Sequence, residues 1–319
     1  MPEILIISAL IWDFILSEPP SPVHPTVWMG HYISRLWKIK PGSSEKTDFI
    51  WGVLIVLSGL FLFTLIPFLV IRILGTFLFP GIQILIVLVS IPLLKVSFSL
   101  KYLFRTAHQI RNSLTRDKLD EARSLTSYHL VSRNTENLDA SEITSCVIES
   151  VSENITDSFT SPVFYFLAGG LPAAWGFRFI NTSDAMIAYR NDEFEWGGKF
   201  TAWCDSLLNF VPARFTAIMI VLASFLHPDA SGRNSWNILK RDRTQTASPN
   251  AGWTMSAMAG ALNIKLEKKG EYVLGAGGSD PAAQDIDRAL SVTAISLLLT
   301  VSMLIVLFRG GAWLLFMAV

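Results

Sequence analysis

Glu149, Glu153 and Asp157 place a carboxylate at every fourth position of one stretch, Glu149-Ser-Val-Ser-Glu153-Asn154-Ile-Thr-Asp157. That spacing lines one face of a helix, and like charges so placed repel by roughly a few tenths of a kcal/mol per pair. A helix that keeps three of them calls for a compensating cation. Oxygen-only donors suit Mg²⁺, which binds through one or two carboxylates and the phosphates of a substrate. A solvated acidic face is the plain alternative. The run stands directly before an apolar segment, where an idle acid is costly.

Four further constellations carry polar chemistry. Asp13, Glu18-Pro19-Pro20, His24-Pro25 and Trp28-Met29-Gly30 follow one another near the start. The X-Pro steps force an extended, rigid exit from a first helix, which fixes His24 and Trp28 at a membrane edge; an interfacial anchor is the plain reading. Asn181-Thr-Ser-Asp184 with Tyr189-Arg190-Asn191, and Asp205 with Asn209 and Pro212-Ala-Arg214, pair acids and amides with two arginines. Asp205 and Asn209, one turn apart, share a face of a continuous helix. Forked guanidinium donors suit phosphate or carboxylate, or each pairs with a nearby Asp as structural glue. Ser248-Pro249-Asn250 is a turn signal that can also cap the helix after it. The glycine-rich run Gly275–Asp280 lacks the Lys-Ser/Thr ending of a phosphate-binding loop and reads as a plain loop.

The elements that must position these groups are apolar. Hydrophobic residues make up 51% of the 319 residues and charged ones only 16%, against about 25% charged in soluble domains. Apolar segments fall at about 3–17, 49–71, 73–94, 158–177, 207–227 and 289–308, with polar loops at 95–157, 178–205 and 228–288. The chain is therefore expected to be all-α: one membrane-embedded domain over 1–319, polytopic, with about four to six apolar helices and helical cytoplasmic loops. Gly169-Gly170-Leu171-Pro172 breaks the fourth segment, which then either crosses or is re-entrant. Asp139 or Ser141 is expected to cap a helix running into Glu153.

Lysine and arginine concentrate in 31–49, 95–123 and 229–288, which places those stretches in the cytoplasm of a multi-pass plasma-membrane protein. The apolar Met1–Leu16 has no basic region before it and reads as a retained helix rather than a removed signal. Net charge is +0, which argues against nucleic acid as a partner. Cys146 and Cys204 form no disulfide framework or metal pattern. Hydrolase, zinc-protease and dinucleotide fingerprints are absent from the sequence.

Taken in order, these constellations resemble the cobalamin biosynthesis membrane proteins known as CobD or CbiB, the adenosylcobinamide-phosphate synthases. The segments that carry the resemblance run from Asp13 and Glu18-Pro19-Pro20 through Glu149–Asp157, Gly169–Pro172, Asn181–Asn191 and Asn209–Arg214 to Ser248–Gly252 and Met258–Leu262. They cover nearly the whole chain. Two motifs depart from the family's pattern: Cys204-Asp205 stands where an Asp-Asp pair is usual, and Ser183-Asp184-Ala185 where Leu-Asp-Ser is usual.

The resemblance implies an amide ligase. It would join aminopropanol, or its phosphate, to a propionate carboxyl of adenosylcobyric acid, driven by ATP as co-substrate with Mg²⁺. Glu153, Asp184, Arg190 and Asp205 are the residues expected to act in catalysis. His24, Trp28, Asn154, Asn181, Asn209, Arg214, Ser248 and Asn250 are expected to hold substrate, and Glu149, Glu153 and Asp157 the metal. Membrane lipids are expected partners, and a homo-oligomer remains open. The rival from another class is a membrane transporter or binding protein for a corrinoid or other anionic small molecule. It would carry ionisable residues inside its spans and broken helices in paired repeats.

Overall fold

Backbone amides surrounded by hydrocarbon must be satisfied within their own segment, which leaves this composition little choice but helix. The computed structural model describes residues 2–16, 18–42, 44–77, 81–131, 133–189 and 191–317, with side chains as far as Arg309. In chain order its helices are α1 (Pro2–Leu16), α2 (Pro25–Lys38), α3 (Glu45–Leu74), α4 (Ile82–Lys95), α5 (Leu100–Leu114), α6 (Leu119–His129) and α7 (Ala140–Ile155). A π-helical turn, Thr156–Thr160, leads into α8 (Ser161–Ile187), followed by α9 (Lys199–Leu208), α10 (Phe210–Leu226), α11 (Gly232–Asp242) and α12 (Ala251–Leu262). A small hairpin, β1 (Leu266–Lys268) and β2 (Tyr272–Leu274), precedes α13 (Ala283–Met317).

Four helical stretches are long and apolar enough to cross a membrane: Glu45–Leu74, Ile82–Leu114, Ala140–Ile187 and Ala283–Arg309. Lys199–Leu208 and Phe210–Leu226 make a fifth if taken together as one bent span. The all-α, polytopic expectation holds. The 15 residues of α1 reach only about 22 Å at 1.5 Å per residue, short of a hydrocarbon core about 30 Å thick.

Several boundaries move. The third apolar segment begins at Ile82 rather than Ile73, because α3 continues to Leu74 and the chain turns through Gly81 at φ 92°. The break in the fourth segment lies at Gly169 and Gly170, the latter at φ 70° and ψ −163°, a region essentially restricted to glycine. The stretch 178–187, expected as loop, is helix: Thr182 and Ser183 return their hydroxyls to the carbonyls of Arg178 and Phe179, which lets polar residues sit inside a helix. Asp205 and Asn209 do not share a continuous helix, because α9 ends at Leu208 and α10 starts at Phe210.

The chain divides into two compact units. The first comprises residues 1–99, 161–208 and 308–319. Its core joins Met29, Ile33 and Trp37 of α2, Ile55, Val56 and Phe63 of α3, and Trp175, Phe179 and Ile180 of α8. Phe63 and Phe179 stack at 5.3 Å, with Tyr32 edge-on to both. Gly59 makes room for this, since a Cβ there would stand 2.0 Å from the Phe179 ring.

The second unit comprises residues 100–160 and 209–307. At its centre α12 is buried on nearly every side, as its all-round Ala, Gly, Ser and Met composition requires. It packs on α7, α10 and α11. α7 begins with a reciprocal capping box, in which Asp139 accepts from the Glu142 amide and Glu142 from that of Asp139.

Candidate active site

α7 sets the chemistry of the second unit. Glu142, Ser145 and Glu149 recur at intervals of three and four residues, so they share one face, and the hairpin is fastened along it. Lys269 pairs with Glu142 at 2.5 Å, the Glu267 amide donates to Ser145 Oγ at 3.1 Å, and Tyr272 Oη donates to Glu149 Oε2 at 2.8 Å. Ser145 Oγ in turn donates to Glu149 Oε1 at 2.7 Å. Arg133 comes within 3.8 Å of the same carboxylate and donates to Cys146 Sγ at 2.8 Å. Burial pushes the Tyr272 phenol well above its ordinary range, and the neighbouring Glu149 carboxylate adds to the shift.

Beside this network lies a cavity of about 230 Å³. Arg133, Glu149, Ser150, Glu153, Asn154, Lys268 and Tyr272 are among its lining residues. Two cations, two carboxylates and neutral donors thus meet in one space. Asp157 is not part of that wall among the described residues. It belongs to the π-helical turn Thr156–Thr160, which departs from the 3.6-residue period that the one-face spacing assumes.

The three carboxylates expected to share a metal are therefore not gathered into one ligand set. Among the described residues, no three His, Cys, Asp or Glu side chains form a group that could hold a metal ion. Both oxygens of Glu149 already accept hydrogen bonds from hydroxyls. The residues do not fit a Mg²⁺ cage built by protein alone. Glu153, on the cavity wall, fits the lesser role of one carboxylate for an ion held mainly by phosphates.

The second cluster of this unit is aromatic and cationic. The Arg214 guanidinium lies over the Phe210 ring at 3.4 Å and the Trp253 ring at 4.7 Å, while that of Arg243 lies 5.2 Å from Trp253. Arg214 also donates to Phe210 O and Asn250 Oδ1. Its partners are thus rings, a carbonyl and an amide rather than the Asp that the glue reading supposed. Ser248 closes the turn before α12, accepting from the amides of Asn250 and Ala251, while the N-cap position itself is Asn250, whose side chain makes no cap bond. The glycine-rich run is a loop, held by the buried Asp242, which accepts from the Gly275 amide, Gln245 and Arg241.

In the first unit, His24 is the N-cap of α2: Nδ1 accepts from the Thr26 amide, so a neutral ring carries its proton on Nε2, which faces Glu18 Oε2 at 2.9 Å. Glu18 also takes Lys95 at 2.6 Å, and Lys95 pairs with Asp13 at 2.8 Å. Burial alone would raise the Glu18 pKa, but the hydrogen bonds from His24 and Lys95 outweigh it and hold the carboxyl at about 2. Trp28 donates to Pro22 O and is half exposed. The rigid exit expected from the proline steps is thus closed by side chains as well.

Asn181 on α8 joins Arg178 at 3.3 Å and Asp205 of α9 at 3.5 Å, and Asp184 stands one turn on in the same helix. Arg190 lies outside the described residues.

A family model described as CobD/Cbib protein matches residues 6–302. The chain belongs to the CobD/Cbib family. Among its relatives, the probable cobalamin biosynthesis protein CobD of Methanothermobacter thermautotrophicus is 40% identical, with 85% of this chain and 86% of the relative covered. The cobalamin biosynthesis protein CobD of Dehalococcoides mccartyi is 37% identical, covering 86% and 87%. The probable cobalamin biosynthesis protein CobD of Methanothrix thermoacetophila is 36% identical across 97% of this chain and 98% of its own. No solved structure matches.

Within this family member, Arg133, Lys268 and Tyr272 are residues that sequence reasoning missed at the α7 cavity, and Lys95 one it missed beside Glu18. The first three meet α7 only through the tertiary fold. Lys95 had a usable signal: it ends an uncharged apolar run, where a cation needs a partner.

Proposed function

We propose that the chain acts in cobalamin biosynthesis as an ATP-dependent ligase that joins aminopropanol, or its phosphate, to a propionate carboxyl of adenosylcobyric acid. The observation that carries this reading is the α7 cavity, where Glu153 and Asn154 share a wall with Arg133 and Lys268. The chemistry needs such a mixture. A carboxylate does not acylate an amine until it is activated. Its oxygen bonds to the γ-phosphorus of ATP, ADP leaves, the amine nitrogen then bonds to the acyl carbon, and phosphate leaves as the amine loses its proton. This asks for positioned charge more than for a protein nucleophile.

Mg²⁺ bound to the nucleotide would supply charge neutralisation, with Glu153 as its protein carboxylate. Arg133 and Lys268 are suited to the phosphate oxygens. Glu149, fixed by Ser145 and Tyr272, holds Arg133 in place. Asp184, Asp205 and Arg190 are proposed to act on the reacting groups, and His24, Trp28, Asn181, Asn209, Arg214, Ser248 and Asn250 to hold substrate. The plasma membrane with cytoplasmic polar stretches is the proposed location, since ATP is there. The test is turnover by the purified full chain with adenosylcobyric acid, Mg²⁺, ATP and either amine, read as the mass of the amide product together with ADP. Absence of corrinoid-dependent ADP release overturns the reading.

One observation favours the transporter alternative. Lys95 and Asp13 are buried charges at the end of an apolar helix and within another, as transport pathways require. Corrinoid uptake by vesicles containing the purified chain, without chemical change of the corrinoid, would establish it.

A further inference from the structure

The α7 cavity has a larger neighbour within the same unit. An open cleft of about 860 Å³ runs along α6 and the segment after it. The two spaces share Val131 and Arg133. Arg133 therefore stands at their junction, and its guanidinium is incompletely used. One terminal nitrogen donates to Cys146, while Nε is buried and has no hydrogen-bond partner among the described residues. A buried donor left unmade is costly, and a planar fork of this kind is suited to phosphate oxygens.

We propose that the outer cleft is the binding site for the nucleoside triphosphate, with its terminal phosphate at Arg133 and its base on Tyr128. This rests on the ATP-driven ligation argued above and gives that reaction a location on the chain. Size divides the two spaces: sites that enclose ligands of several rings run from about 300 to 1,000 Å³. The outer cleft lies in that range, and the inner cavity of about 230 Å³ falls below it.

Lining chemistry agrees. Ser124, Ser127 and Asn134 offer uncharged donors and acceptors for a sugar and phosphates. Of the two acids of the cleft, Asp120 pairs with Arg123 at 2.9 Å and is otherwise turned to solvent, and Glu136 accepts from the Asn134 amide at 3.4 Å; Arg123 and Arg133 set two cations against them. Tyr128 is 84% exposed, yet its ring is steadied edge-on against His129 at 4.6 Å. A steadied ring with an open face is a platform for a base. The arrangement also explains why sequence alone shows no nucleotide motif: the parts come from a helix and an irregular segment rather than from a glycine-rich loop.

The full chain in detergent is photolabelled with 8-azido-ATP and Mg²⁺, with and without excess ATP, and digested with trypsin. The expected label, competed by ATP, falls on the peptide Ser124–Arg133, which begins after Arg123. In the turnover assay, Tyr128→Ala is expected to raise the KM for ATP about tenfold with little change in kcat, the scale of losing one stacked base. Arg133→Lys is expected to lower kcat as well, while Arg233→Ala on α11 changes neither. Competed label on another peptide, or an unchanged KM for ATP in Tyr128→Ala, overturns the placement while ADP-forming turnover leaves the ligase reading intact. Amide formation that does not consume ATP would sink both.

Discussion

Replacing Lys95 with Met tests the buried charge network of the first unit. Lys95 is fully buried and bridges Asp13 at 2.8 Å and Glu18 at 2.6 Å. Met matches its unbranched stem but leaves both carboxylates without their cation. Asp13 is fully buried, so nothing screens its charge, whereas Glu18 is partly exposed and loses less. Breaking a buried pair by removing one partner costs about 3–5 kcal/mol, and Asp13 should supply most of that here. At about 2 °C per kcal/mol for a chain at the large end of the range, the unfolding midpoint should fall by about 6–10 °C.

The assay is intrinsic fluorescence during heating of the detergent-solubilised protein. Adding Asp13→Asn and Glu18→Gln to Lys95→Met removes the stranded charges and should recover much of the loss. A midpoint within about 2 °C of wild type for the single variant would refute the reasoning, on the scale that converts energy to temperature. So would a triple variant less stable than the single one.

Acid should act on the same network with a definite sign. The Glu18 carboxyl sits at about 2 in the folded protein against an ordinary 4.5, so its contribution is complete above about 4.5 and fades as pH falls toward 2; Glu18→Gln should flatten the loss of stability in that window. Tyr272→Phe strands one buried oxygen of Glu149 and should destabilise by about 1–3 kcal/mol in chemical denaturation. Glu153→Gln should keep the thermal midpoint and lose most ATP-dependent turnover; full turnover with unchanged Mg²⁺ dependence would mean the acid is merely solvated. A cysteine placed at the exposed Asp192, with Cys146 and Cys204 replaced, should resist an impermeant thiol reagent in intact cells if that stretch is cytoplasmic, and labelling from outside would refute that placement.

What sequence makes legible is local. The cap at Asp139, the break at Gly169–Gly170 and the long apolar run of α3 each depend on neighbours within a few residues, and each is found. The helical stretch 178–187 was hidden because its polar residues satisfy themselves on their own backbone and pack inward, which composition cannot distinguish from a loop. The acid run was legible as chemistry but not as geometry, because Asp157 falls in a π-helical turn while Glu149 and Glu153 stand on the α-helix before it. Tyr272 meets Glu149 across 123 positions and Lys95 meets Glu18 across 77. No periodicity reports a pairing of that kind; only the tertiary fold brings the partners together.

The division of the chain has a consequence for how the protein is made. Neither unit is a continuous piece: the chain passes from one to the other after Ser99, Thr160, Leu208 and Leu307. A ribosome that has delivered the first 99 residues has delivered α1–α4 without α8, whose Trp175 and Phe179 complete their core. The second unit waits longer still, since α7 emerges more than a hundred residues before the hairpin that fastens to it. For that interval the buried faces of α3 and α7 must be sheltered by lipid or by the insertion machinery. A truncation at any one of these four points therefore leaves at least one unit unfinished, and splitting the chain cleanly into its two halves would require cutting and rejoining it rather than stopping it early.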